Sequence, residues 1–235
     1  SNVLGVDDAK RVIYFTATGY NKDENPYYLH LFRVNYDGTG LKQLDPTGFN
    51  GEVSLSDDRR YFTTTYSRVD AAPVSELYTT EGRKILTLQT VDLEPLYAMG
   101  YKLPETFVVK AADGITDLHG VMYKPYDFDP TKKYPAIVYV YGGPHAHNVD
   151  ASRHYGVRGW DVWMAQKGYV MLCLDNRGSE HRGLAFEQAT HRNLGVEEMK
   201  DQIKGAEFLK SLPYVDADRL GVHGWSFGGF MTTSL

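Results

Sequence analysis

Gly224-Trp225-Ser226-Phe227-Gly228-Gly229 decides the reading of this chain. The stretch fits Gly-x-Ser-x-Gly, and its surroundings make the match informative. A short strand-forming run, residues 219–223, ends immediately before it, and a helix can start after Gly229. A serine at the tip of a tight strand-to-helix turn is held out toward solvent. Flanking glycines are needed because side chains there would clash with neighbouring backbone. The following helix points its N-terminus at the serine, which favours developing negative charge. The backbone N–H of Phe227 is then placed to help stabilise an oxyanion. Ser226 is therefore the candidate nucleophile, set against the plainer reading of a glycine-rich turn with a surface serine.

Outward from the turn, residues 96–235 alternate strands with helices. Residues 106–111 and 120–124 predict a hairpin across Asp113-Gly114. Residues 136–141 form a continuous apolar strand closed by Gly142-Gly143-Pro144. Residues 160–167 are predicted helical, and Val170–Leu174 is a second buried strand. Residues 196–212 predict an amphipathic helix with Val196, Met199, Ile203, Ala206 and Leu209 on one face, ended by Pro213. Such alternation implies a mostly parallel sheet covered on both sides, the N-terminal part of an α/β-hydrolase fold up to its nucleophile turn.

A serine needs a general base, usually His, oriented by Asp or Glu. In α/β-hydrolases the acid and then the His follow the serine in the chain. Residues 227–235 contain no Asp, Glu or His. This order excludes His30, His119, His145, His147, His154, His181, His191 and His223 as the usual base and leaves them as polar surface or loop residues. The chain is accordingly expected to be a fragment without its complete triad. His145 and His147 lack a carboxylate partner in their loop and make a weak metal motif, so neither a metal nor a cofactor is expected. Tyr141, at the end of the first buried strand, sits where this fold places a second oxyanion donor. A Tyr hydroxyl can serve as a neutral donor there, and a plain buried strand residue is the equal alternative.

Residues 1–95 have a different grammar. Short β-rich runs alternate with turns, and two halves match at a period of roughly 45 residues. Tyr14-Phe15 corresponds to Tyr61-Phe62, and Leu31-Phe32 to Leu77-Tyr78. Leu41-Lys42-Gln43-Leu44 corresponds to Ile85-Leu86-Thr87-Leu88. The expectation is two four-stranded blades at the C-terminal end of a β-propeller, with an antiparallel β-sandwich as the alternative.

Composition sets the outer limits. Hydrophobic residues make up 42% and charged residues 23% of the 235, which is globular composition. The net charge of −5 and the lack of a long basic run argue against nucleic-acid binding. Eighteen tyrosines fit a β-rich portion. The single cysteine, Cys173, lies in the apolar run 169–174 and reads as a structural residue. No apolar stretch is long enough for a transmembrane helix, and Ser1-Asn2-Val3 does not open a signal peptide.

Val140-Tyr-Gly-Gly-Pro144, Asp175-Asn-Arg-Gly-Ser179, Leu194-Gly-Val-Glu-Glu198 with Asp201-Gln202, and Gly224-Trp-Ser-Phe-Gly-Gly229 together resemble the prolyl oligopeptidase superfamily. Trp225, before the serine, points to its dipeptidyl peptidase IV branch, and the wording is similar to that of Bacteroidetes-type bacteria. The resemblance covers essentially the whole chain. It implies Ser226 as nucleophile, Tyr141 as oxyanion donor, and Phe227 as a wall of the proline-binding pocket. Asp175 and Arg177 are expected to hold the loop after their strand, and Glu197-Glu198 to form a solvated helix face. The implied parent is a serine exopeptidase releasing Xaa-Pro or Xaa-Ala dipeptides from peptides with penultimate Pro or Ala. It would be commonly homodimeric and periplasmic, secreted or at the cell surface. Its amine-binding glutamates, triad Asp and triad His would lie outside this chain, which alone is expected to be inactive. The rival readings are an acylaminoacyl peptidase, a prolyl endopeptidase, or a non-catalytic propeller interaction module.

Overall fold

The structure, a computed structural model, describes residues 2–149 and 159–235. His154 lies outside the described residues. The chain divides into two compact units, one running to Leu93 and the other beginning at Glu94.

The first unit holds two antiparallel sheets. One comprises β1 (Asn2–Asp7), β2 (Val12–Thr18), β3 (Leu29–Asn35) and β4 (Lys42–Gln43). The other comprises β5 (Asn50–Leu55), β6 (Tyr61–Arg68), β7 (Ala71–Thr79) and β8 (Lys84–Thr90). Spatial order equals chain order in both. Each sheet is thus a meander of consecutive hairpins, the arrangement of a propeller blade rather than the Greek-key crossovers of most sandwiches. The facing sides pack Val12, Tyr14, Leu31 and Leu44 of the first blade against Phe62 and Tyr78 of the second.

The sequence repeat matches the strand register. Phe15 stands opposite Phe32 with rings 5.6 Å apart, and Phe62 stands opposite Tyr78 at 5.2 Å, both stacked. Directly opposed side chains on a sheet face are close enough for such pairs to stabilise it. The repeat slips in the last strand. Leu44 donates its N–H to Leu31, whereas Leu86, not Leu88, stands opposite Leu77. Register shifts between β7 and β8 and a shorter connecting turn cause the difference. Strand β1 carries no strong alternation in sequence and forms by pairing with β2.

A short helix α1 (Glu94–Ala98) opens the second unit. Its sheet contains β9 (Glu105–Lys110), β10 (Asp117–Tyr123), β11 (Tyr134–Tyr139), β12 (Val170–Leu174) and β13 (Val215–His223) in the order β13-β11-β12-β10-β9. Strands β11, β12 and β13 are parallel, while β9 and β10 form the antiparallel hairpin at one edge. Helices α2 (Gly159–Gln166), α3 (Leu184–Glu187), α4 (Glu197–Ser211) and α5 (Phe227–Ser234) follow, with a 3-10 turn after α3. The core gathers Leu118, Met122, Ala136, Val138, Val170, Leu172 and Leu209. All five residues of β12 are buried, as expected of a strand covered on both faces.

Helix α4 departs from its expected face. Its buried residues are Glu198, Met199, Asp201, Gln202, Gly205 and Leu209, while Ile203 is exposed. The apolar periodicity does not show this because three polar side chains are buried, each held by hydrogen bonds from or to its neighbours. Glu198, expected on a solvated face, is fully buried. Its carboxylate accepts the N–H groups of Gly195 and Val196 at the helix entry. Glu197 lies half-buried between Arg177 and Lys200. Among the described histidines, His30, His119 and His223 are strand residues rather than loop residues.

Candidate active site

Strand β13 ends at His223, and α5 begins at Phe227. Ser226 bridges them at φ 56°, ψ −123°, a backbone conformation that non-glycine residues rarely adopt. Its carbonyl accepts the N–H groups of Gly229 and Phe230, which closes the first turn of the helix. Ser226 and Trp225 are exposed. The N–H of Phe227 belongs to a helical first turn, where amides have no partner inside the helix.

The flanking glycines are required by close approach. A Cβ at either Gly224 or Gly228 would lie 2.3 Å from the carbonyl oxygen of Val140. The Cβ position at Gly228 is also only 3.1 Å from the Cα of Tyr141. The serine turn therefore packs directly on the end of β11, where Val140 donates its N–H to His223. This contact brings Tyr141 and Ser226, far apart in sequence, to the same end of the parallel strands. Open α/β sheets bind ligands outside the carboxyl ends of their strands. The ring centroids of Tyr141 and Phe227 are 6.3 Å apart. All three residues singled out from the sequence thus gather in one place.

Loops beneath the site are tied down by buried polar side chains. The Asp175 carboxylate accepts the N–H groups of Asn148 and Val149, fixing the segment after Pro144. Arg177 binds Asp201 through Nε and Nη2 and also reaches Glu197. Asp201 further accepts the N–H groups of Arg177 and Ala112, so this fully buried carboxylate is saturated. The hydrogen bonds that Arg177 donates to Asp201 raise the guanidinium pKa still further and keep it charged.

Asn176, fully buried, donates to the carbonyls of Gly142 and Arg177 and accepts from Gln202. Sequence reasoning gave neither Asn176 nor Gln202 a role in the site. Their positions within the Asp175–Ser179 and Asp201-Gln202 segments were the available signal. His147 lies 3.5 Å from Asp175 and 5.3 Å, ring to ring, from His181.

Two family models match the chain. The N-terminal region of dipeptidyl peptidase IV covers residues 1–73, and the prolyl oligopeptidase family covers residues 157–235. Human dipeptidyl peptidase 8 is 34% identical over 97% of this chain. A crystallised dipeptidyl aminopeptidase IV candidate from Bacteroides ovatus superposes with TM-score 0.86 at 46% identity, over 100% of this chain and 33% of its own. Dipeptidyl peptidase 4 of Porphyromonas gingivalis superposes with TM-score 0.81 at 28% identity, over 100% of this chain and 32% of its own. The chain spans about a quarter of the length of the curated relatives it matches, 26% in the human case.

Proposed function

The chain belongs to the dipeptidyl peptidase IV family of the prolyl oligopeptidase superfamily, and from that premise we propose that it carries the nucleophile and oxyanion donors of a serine dipeptidyl peptidase. The observation that supports this most is the strained Ser226 turn, seated on the carbonyl of Val140 beside Tyr141. In the proposed reaction, Ser226 Oγ attacks the carbonyl carbon of the penultimate residue. The Tyr141 hydroxyl and the Phe227 N–H hold the resulting oxyanion. Collapse of the tetrahedral intermediate breaks the peptide bond, releases the shortened peptide as an amine and leaves the dipeptide as an ester on Ser226. Water then hydrolyses that ester. The Phe227 ring forms one wall of the pocket for the penultimate side chain.

The base that takes the serine proton is not among residues 227–235. We therefore propose that the whole protein supplies the His and its Asp, and that these 235 residues alone do not turn over substrate. Loss of triad members costs several orders of magnitude in rate. The proposed substrates are peptides with a free N-terminus and penultimate Pro or Ala. The family further suggests a homodimer in the periplasm, secreted or at the cell surface. Among the described residues no helix is long and apolar enough to cross a membrane.

The test is to assay the full-length protein on Ala-Pro-p-nitroanilide and on its N-acetylated counterpart. The reading predicts turnover of the free amine alone. Equal or faster turnover of the blocked substrate would point to an acylaminoacyl peptidase or an endopeptidase. No turnover of either would favour a propeller module without chemistry.

A further inference from the structure

We propose that Asn176 is a positioning residue for Tyr141, acting through the carbonyl of Gly142 to fix where the Tyr141 hydroxyl meets the oxyanion. The inference rests on the roles given above to Ser226 and Tyr141.

The hydrogen bonds dictate the orientation of both amides. Gln202 Nε2 lies 2.9 Å from the carbonyl of Leu174, which can only accept. The same NH₂ group gives its other proton to Asn176 Oδ1, also at 2.9 Å. Asn176 therefore turns its nitrogen the other way, toward the carbonyls of Gly142 at 3.1 Å and Arg177 at 2.8 Å. Both of its amide protons are used, and its side chain has no freedom to flip.

Gly142 needs this restraint. It turns the chain immediately after Tyr141 at φ +74°, and glycine by itself holds no such conformation. A Cβ added at Gly142 would lie 3.0 Å from Met231 Cε of α5 and 3.2 Å from Asn176 Oδ1, so only glycine fits there. The Gly142–Gly143 peptide, one residue past Tyr141, is thus anchored by the Asn176 amide, and Gly142 packs close to the helix that follows Ser226. Asn176 is in turn immobile. Its own carbonyl accepts the N–H and hydroxyl of Ser179, and the next residue, Arg177, is locked onto Asp201 of α4. A continuous tie therefore runs from Gln202 through Asn176 to Gly142, next to Tyr141. Preorganised donors of this kind lose their effect when displaced by about 1 Å.

The test is a double-mutant cycle in the full-length protein. Asn176→Ala removes the donor to Gly142, and Tyr141→Phe removes the hydroxyl it is proposed to aim. Asn176→Ala should lower kcat about 10- to 100-fold with KM changed less than about threefold. In the Tyr141→Phe background the same change should cost less than about twofold, because no hydroxyl remains to be positioned. An equal loss in both backgrounds would make Asn176 a structural residue only and overturn the proposal, as would an unchanged kcat. If Asn176→Ala does not accumulate as folded protein, Asn176→Ser carries the same comparison with a smaller cavity. Two controls separate this inference from the reading beneath it. Full turnover by Ser226→Ala would defeat the site assignment itself. An inactive Ser226→Ala and a slowed Tyr141→Phe, together with an additive Asn176→Ala, would defeat only the positioning role.

Discussion

The two units of this chain both bury polar side chains, but they direct them differently. In the blades the buried clusters are local. His30 lies between Glu24 at 2.7 Å and Asp45 at 3.2 Å, and Asp45 also accepts the N–H of Leu31. Glu76 is held by Lys84, Tyr78 and Thr87 on its own and the adjoining strand. These groups stitch strands and turns of one blade together. In the second unit the buried groups reach across long stretches of sequence to loops. Asp175 holds residues 148 and 149, Asn176 holds Gly142, and Asp201 holds residues 112 and 177. The loops held by Asp175 and Asn176 follow β11 and β12 at the carboxyl ends of the parallel strands, the end at which Ser226 follows β13. One unit uses buried polarity to tie neighbouring strands and turns, and the other uses it to tie distant loops around the proposed site.

Substitutions that add or remove one group in each unit sharpen this contrast. The largest effect is expected from Gly228→Ala, whose new Cβ would press on Val140 and Tyr141. Turnover by the full-length protein should fall by about a thousandfold or more. Overpacking should also remove about 1–3 kcal/mol of stability in a denaturant titration. Gly38→Ala in a blade turn is the counterpart, with φ +83° but open space around it. It should cost about 1 kcal/mol through strain and leave turnover unchanged. Next comes Tyr141→Phe, which should lower kcat by about 10²–10³ with an unaltered melting temperature.

His30→Gln tests the blade. It leaves two carboxylates without their buried partner and should cost about 3 kcal/mol of stability. The kinetic constants should stay at wild-type values, and a large loss in kcat would blur the division between the units.

The smallest predicted effect is in pH dependence, where two strand histidines, buried His30 and half-buried His119, have opposite signs. Burial alone would lower the His30 pKa, but its hydrogen bond to Asp45 and the charges of Asp45 and Glu24 outweigh this and raise it. The stabilisation it gives is complete below its unfolded value of 6.5 and is lost as pH rises through the raised folded value. His119 is instead lowered to about 4, chiefly by burial and then by the charge of Arg182. Its unfolded form binds a proton more readily, so stability there grows as pH rises from about 4 toward 6.5. Hydrogen exchange resolved by peptide should show β3 best protected on the acid side and β10 on the neutral side. The same trend in both strands would contradict the assignment.

What the sequence disclosed follows the same physical divide. The Ser226 turn was legible because its demands are local: glycines on either side, a strand before and a helix after. The blades were legible because the aromatic pairs repeat, Phe15 with Phe32 and Phe62 with Tyr78. The buried face of α4 was not, because Glu198, Asp201 and Gln202 look like solvated residues until their partners are known. Those partners lie on the helix-entry loop and on the Ala112 and Asn176-Arg177 loops. The same holds for Asn176, whose amide donates to a carbonyl 34 positions earlier in the chain. Short-range patterning reveals where backbone must turn, whereas long-range polar pairing appears only once the sheet brings its strand ends together.

The most direct test of the central claim is to treat the full-length protein with a fluorophosphonate and locate the adduct by peptide mass spectrometry. One adduct is expected, on the peptide containing Ser226, absent in Ser226→Ala and formed more slowly in Tyr141→Phe. An adduct on a different serine, or normal peptidase turnover by folded Ser226→Ala, would contradict it.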